Sequence, residues 1–415
     1  MIRQMTLTKP SVLLINRVYP PARGASGRVL RDLAREMARA GWQVTVLTTG
    51  SKTFSEKDGG INVFRVKAKA NPRGFFSYAR ILMRLYFAAM RQPRHDLVVT
   101  LTDPPLLVTV GRRFAKKKRC AHMHWCHDLY PDLFPSIGVK MPEFVMKSLS
   151  RSARRSMNKT GRVIAVGRCM GKYLARTGVE TSRISIIPNW PDQEIIDITR
   201  RQRANDVRIK ENVANARPAD QLIRDPSPRF RILYAGNIGR AHPMNTILEA
   251  AEVLSVHPEI EFAFVGDGPN HDRLAAERSR RGLQNVKLLP FQPASLLKDL
   301  MESGDLHLVS MRNDAAGLLV PCKVYSALAA ARPIIYIGPD DTEVARIIKD
   351  YGCGAIVPQG DGHTLAQAIM YFRSEPNAWF DAHQGAEAAA QECRPVKSIL
   401  SIMREAENTI RTRVA

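Results

Sequence analysis

Short apolar runs alternate with stretches of helical periodicity along most of the chain. The first run, SVLLINR at 11–17, has the continuous apolar character of a strand buried on both faces. A Gly-containing loop leads into GRVLRDLAREMARAG, whose apolar positions recur at three- and four-residue steps, and QVTVLTT at 43–49 predicts the next strand. INVFRV, DLVVTLT, CAHMHW and RVIAV predict four more. Strands alternating with amphipathic helices build a parallel sheet covered on both faces.

Residues 201–228, RQRANDVRIKENVANARPADQLIRDPSP, break this rhythm: they are polar and charged and end in a Pro/Ser turn signal, which predicts a linker. A second series then begins with RILYAGN (231–237), EFAFVGDG (261–268), VKLLPF (286–291), DLHLVS (305–310), PIIYIG (333–338) and GAIVP (354–358). The expected organisation is a Rossmann-like domain over 1–200, the linker over 201–228, a second Rossmann-like domain over 229–394 and an amphipathic C-terminal helix over 395–415. The fold class is α/β, with two doubly wound domains facing a central cleft. The carboxyl ends of the strands would line that cleft.

Charge changes this picture. The chain has 415 residues and a formal net charge of +23. Residues 1–200 hold 36 Lys and Arg against 13 Asp and Glu, while residues 201–415 hold 26 of each, so the whole excess lies in the first half. An anionic partner follows, either a nucleic acid or an acidic membrane surface; a solvated basic face is the alternative. GRRFAKKKRC (111–120) packs six cations beside a strand, and Lys147, Arg151, Arg154 and Arg155 recur at helical spacing. RGFFSYARILMRLYFAAMR (73–91) mixes Phe75, Phe76, Tyr78, Leu82 and Phe87 with Arg80, Arg84 and Arg91. Basic faces beside aromatics suit an anionic bilayer interface, with core packing of the aromatics as the competing reading. Helix-turn-helix, RNP and zinc signatures are lacking, so no nucleic-acid partner is expected, although a basic nucleic-acid-binding protein remains a competing class.

Composition adds less. An apolar fraction of 45% is that of a globular protein. Six cysteines at 120, 126, 169, 322, 353 and 393 show neither CxxC nor Cys/His metal spacing, which predicts reduced thiols in a cytoplasm and no metal. No apolar run reaches the roughly 18 residues of a membrane span. The N-terminal MIRQMTLTKPSVLLINR reads as a first strand and not as a signal peptide.

Three glycine-rich loops follow predicted strands. Gly24 and Gly27 precede a helix whose exposed N–H groups favour an anion. Neither GK[ST] nor GxGxxG is present, which argues against a P-loop and against NAD. The second loop holds Gly236, Asn237 and Arg240, and the third turns at Gly266. Each alone fits an ordinary turn. Three in order at strand ends predict a groove for a diphosphate.

The ordered segments PPARGASGRVLRDLAREMARAGWQVTVLT, CHDLYPD, IIPNWPD, YAGNIGRAH, FVGDGP and LAAARPIIYIG resemble family 4 retaining glycosyltransferases of the GT-B fold over nearly the whole chain. DPPLL, HDLYP and VPCKVY are closest to the branch that builds bacterial surface polysaccharides. The resemblance implies a nucleotide-sugar donor on the second domain and an acceptor mainly on the first; a lipid-diphosphate-linked saccharide as that acceptor would explain the first half's positive charge and its attraction to a membrane. It places Gly24, Gly27, Gly236 and Gly266 at the donor, and His127 at the donor sugar near the reacting carbon. Asp128 would orient that ring, as carboxylates do beside imidazoles. With the cysteine usage and the basic first half, the expectation is a cytoplasmic enzyme, peripheral on the inner face of the cytoplasmic membrane; no DxD-like pair stands out in a loop, so neither metal nor cofactor is expected.

The chain departs from the family where Arg and Lys commonly follow the second loop's first glycine. It has Asn237 and His242, leaving Arg240 and Lys323 as the nearest cations. Two family glutamates seven residues apart are replaced by Leu318 and Ser326, with Asp314 as a possible substitute acid. Ser326 keeps one weaker hydrogen bond for a ribose. These losses leave an inactive homologue open. A nucleotide-sugar 2-epimerase on the same fold also remains open, because fold alone does not fix chemistry.

Overall fold

The computed structural model describes residues 9–70, 72, 74–192, 195, 229–293 and 296–414. The linker expected over 201–228 lies outside the described residues. Strands of the first lobe are β1 (Ser11–Ile15), β2 (Gln43–Gly50), β3 (Phe54–Asp58), β4 (Ile61–Lys67), β5 (Leu97–Thr100), β6 (Ala121–Cys126), β7 (Arg162–Ala165) and β8 (Ile184–Ile186). They form one sheet in the order β3-β4-β2-β1-β5-β6-β7-β8, parallel except where β3 pairs antiparallel with β4. The second lobe has β9 (Phe230–Ala235), β10 (Ile260–Val265), β11 (Val286–Leu289), β12 (Leu306–Ser310), β13 (Ile334–Ile337) and β14 (Gly354–Val357), in the parallel order β11-β10-β9-β12-β13-β14. Both orders reverse beside the lobe's first strand, and such switch points are where doubly wound sheets open a crevice.

Each strand read from an apolar run is present, and the predicted α/β class with two Rossmann-like lobes is what the chain adopts. The continuous runs are buried on both faces: every residue of Leu97–Thr100, Ile260–Val265, Leu306–Ser310 and Ile334–Ile337 is enclosed. At roughly 1.5–3 kcal/mol per fully buried large apolar side chain, these strands anchor the lobes.

The lobes share a core. One apolar cluster runs from Trp125 and Trp190 of the first lobe to Tyr325 and Tyr336 of the second. Polar contacts fasten the same junction. Leu129 N–H donates to the Leu318 carbonyl at 2.8 Å, Ser136 Oγ to the Asp314 carbonyl at 2.8 Å, and the Arg168 guanidinium to Glu343 at 3.0 Å and Asp350 at 2.9 Å.

The C-terminal helix Pro395–Val414 starts on a proline and carries Arg411 and Arg413 in its last turn, the charge that complements the helix dipole. It returns to the first lobe. Glu405 forms an ion pair with Arg162 at 2.9 Å and accepts a hydrogen bond from Ser185 Oγ at 2.7 Å, and Thr409 fills the space a side chain at Gly161 would need.

Candidate active site

The site is built outward from the helix Ala25–Arg39. Gly27 lies where an added Cβ would sit 2.9 Å from the Val18 carbonyl carbon and oxygen, so the helix start presses onto the end of β1 only because that side chain is missing. The same helix holds the segment after β8. Arg28 pairs with Asp192 at 2.7 Å and donates to the Trp190 carbonyl, while Trp190 Nε1 donates to Asp32 at 3.0 Å. Trp190 stacks on Trp125, whose ring leans on His127 with centroids 4.7 Å apart.

His127 is thereby fixed from two sides. Asn189 Nδ2 stands 3.2 Å from ring Nδ1, and Nε2 is buried without a hydrogen-bond partner. An amide donating to Nδ1 leaves the proton of a neutral ring on Nε2. Burial first, then the Arg28 and His124 charges, lower the ring's pKa to about 3, so it is neutral near physiological pH. The residue found at His127 Nδ1 is Asn189, which the sequence reading missed; its signal was its place in IIPNWPD just after a strand. The sequence expectation gave the orienting role to Asp128. Its backbone bridges to Leu319 of the second lobe, and the residue lines a small cavity with Thr102, His124 and Tyr130. Burial, with Asp103 adding repulsion, raises the Asp128 pKa to about 7.

On the second lobe the glycine loops and Lys323 come together. Gly266 has φ +151°, and a Cβ there would lie 2.1 Å from the Gly236 carbonyl oxygen, so the ends of β9 and β10 touch backbone to backbone. Lys323 Cε lies over Gly236, its ammonium donates to the Asn237 carbonyl at 2.9 Å, and it sits 4.8 Å from the centre of the Tyr234 ring. The first lobe reaches this rim too: the Arg23 guanidinium, next to Gly24, lies over the Phe291 ring at 5.5 Å. Ser326 is half-buried on the helix Lys323–Ala329.

Other expected positions fall elsewhere. Leu318 is buried and gives its carbonyl to the interlobe bridge. Asp314 is half exposed and bound by both arms of Arg312 at 3.0 Å. Arg240 is exposed and lines a cavity with His242 whose described lining comes wholly from the second lobe.

Two family models tile this geometry, a Glycosyl transferase 4-like domain at residues 24–190 and Glycosyl transferases group 1 at residues 229–374. The chain is a glycosyltransferase of the GT-B fold. The transferase is 24% identical over 365 residues to WcaI of Escherichia coli (strain K12), a glycosyl transferase assigned to colanic acid biosynthesis, with 82% of this chain and 86% of that one covered. Sucrose-phosphate synthase from Thermosynechococcus elongatus has the same architecture, with TM-score 0.74, 15% identity and coverage of 97% of this chain and 100% of that one. Anabaena HepE, solved with UDP-glucose, matches with TM-score 0.68, 17% identity and coverage of 96% and 100%.

The basic, aromatic segments of the transferase form one face. The helices Phe75–Arg91, Leu107–Lys118 and Glu143–Met157 pack side by side on the first lobe. Ile81, Leu85, Ala88 and Ala89 supply the inward side of the first helix. Phe75, Phe87 and Met83 project into solvent, as do Phe76, 84% exposed, and Phe144, 75% exposed. Tyr78 and Leu82 are half-buried. Among the described residues, no helix is long and apolar enough to cross a membrane.

Proposed function

We propose that the transferase moves a sugar, with retention at the sugar carbon, from a nucleotide-sugar donor to a lipid-diphosphate-linked saccharide in bacterial surface-polysaccharide synthesis. The observation that carries this reading is the meeting of Gly236, Gly266 and Lys323 on one rim with the Gly24 loop, next to a junction that holds His127. UDP-glucose bound by HepE, and the role assigned to WcaI, support the donor and pathway classes.

In this reading the Lys323 ammonium neutralises the leaving diphosphate, and Gly24, Gly27, Gly236, Asn237 and Gly266 let backbone approach it. Ser326 holds a ribose hydroxyl. His127 donates from Nε2 to a sugar hydroxyl. The acceptor oxygen bonds to the sugar carbon as the bond to the diphosphate oxygen breaks, and the hydroxyl proton passes to the departing phosphate. Retention follows when acceptor and leaving group are held on one face of the sugar. Asp128, half-protonated near neutrality, orders the acceptor side.

The exposed phenylalanines amid cations dock the first lobe on an anionic inner-membrane surface, where a lipid-linked acceptor is presented. The test is a thermal-shift panel of UDP, GDP, dTDP and ADP, followed by transfer assays with and without lipid acceptor. One diphosphate is expected to raise the melting temperature, and liposomes of anionic lipid to retain the protein. No response to any nucleotide would remove the donor site; conversion of the nucleotide sugar without acceptor would replace transfer by epimerisation.

A further inference from the structure

Beside the donor loops, the second lobe has a cavity of about 310 Å³, the size of one or two sugar rings, whose described lining comes from that lobe alone. Two helices begin at it, Asn245–Val253 and His271–Arg280, and neither has a side-chain cap on its first N–H groups. Three charged residues of the lining have no hydrogen-bond or ion-pair partner among the described residues: Arg240, Arg273 and Glu249. The other lining charges are already satisfied, Arg312 by Asp314 and Glu277 by Arg280 and Arg281. Arg273 stands in the first turn of its helix, the end whose dipole disfavours a cation unless an anion arrives.

The neutral groups narrow the ligand. His242 Nδ1 faces the Ser310 carbonyl, which only accepts, so Nδ1 carries the proton. His242 is one of the cavity's lining residues, and Nε2 of its ring is then an acceptor open to a hydroxyl. Burial keeps the ring neutral, which agrees with that assignment. Asn270 spends its amide on the Gly239 carbonyl and Gln359 its oxygen on the Asn313 N–H, leaving one further acceptor and one further donor. Two free guanidiniums against one free carboxylate match a ligand of single negative charge. Glu249 and His242 are acceptors, which suit hydroxyl groups and oppose a phosphate dianion.

We propose that this cavity binds a saccharide unit carrying a carboxylate, at a site separate from the donor rim. The acid group is held by Arg240 and Arg273 and the helix N–H groups, and the hydroxyls by Glu249, His242 and Asn270. The assignment stands on the second lobe alone and holds whatever the donor proves to be.

Saturation-transfer NMR with the full chain tests it, using glucuronate, glucose and inorganic phosphate as separate probes, with the UDP thermal shift read in parallel to report the donor site independently. Glucuronate is expected to bind saturably and at least about ten-fold tighter than glucose or phosphate, the scale of one lost charge-assisted pair. Arg273→Ala, on an exposed helix surface, should keep its melting temperature and lose that preference. Glucuronate binding should persist in Lys323→Met. Equal binding of glucose, tighter binding of phosphate, no saturable glucuronate signal, or an unchanged Arg273→Ala variant would each overturn the proposal.

Discussion

Replacing Asn189 by aspartate tests the arrangement around His127 with almost no change of shape. In the native site the amide faces Nδ1 at 3.2 Å, Nε2 carries the proton, and burial holds the ring's pKa at about 3. Asn189→Asp reverses the polarity of that contact. A carboxylate about 3–4 Å from the ring stabilises imidazolium by ~4 kcal/mol at an effective dielectric constant near 20, or about three pKa units. The ring should then titrate near about pH 6, an upper figure because the new carboxylate is also desolvated. Above that pH the variant's Nδ1 donates to the carboxylate and Nε2 is bare, so the donor hydrogen bond to substrate is lost and turnover falls about ten-fold. Below it, both nitrogens carry protons and turnover recovers, whereas the wild type shows no such step. Histidine Cε1–H NMR titration reads the ring directly, and kcat against pH reads the consequence. An Asn189→Asp ring that stays untitrated down to about pH 5, or a wild-type ring protonated on Nδ1, would refute the reasoning.

Lys323→Met keeps the stem over Gly236 and removes the charge; nucleoside diphosphate binding should weaken by about 10–150-fold, the equivalent of ~1.5–3 kcal/mol for a charge-assisted contact, read by calorimetry. Gly266→Ala forces a Cβ to 2.1 Å from the Gly236 oxygen at a strained φ; loss of ~3 kcal/mol in chemical denaturation is expected together with loss of nucleotide response. Asp128→Asn removes a group whose native pKa of about 7 exceeds the ordinary 3.8. Ionisation destabilises the fold increasingly as pH rises between those values, so the variant should gain up to ~4 kcal/mol at alkaline pH while turnover drops. Burial lowers the pKa values of His122, His124, His127, His242 and His307. Their unfolded forms bind protons first as pH falls below 6.5, so each removes up to ~1.4 kcal/mol of stability per pH unit until its native pKa is passed. A melting temperature flat between about pH 6.5 and pH 5 would contradict this.

The parallel strands were legible because burial on both faces demands unbroken apolar runs, as in EFAFV and PIIYI. Phe54–Asp58 escaped notice since FSEKD is a solvated edge strand with no apolar stripe to mark it, and Ile184–Ile186 is only three residues long. The glycine loops announced themselves through backbone geometry, which sequence records as missing side chains. Asn189 did not, because its part in the site depends on Trp190 and Asp32 holding a distant segment beside β6. Leu318 looked like a lost acid; its carbonyl bonds Leu129 across the lobes, a contribution that any residue's backbone could make.

The way the final helix leans on the opening lobe has a consequence for biosynthesis. Glu405 reaches Ser185 across 220 positions of chain. The ribosome therefore releases the first lobe's sheet long before the segment that covers Gly161 exists, and that apolar flank must wait, bare, while the second lobe is translated. Shortening the transcript from its 3′ end should leave a polypeptide that chaperones retain, even when every residue of the sugar-handling rim has been made.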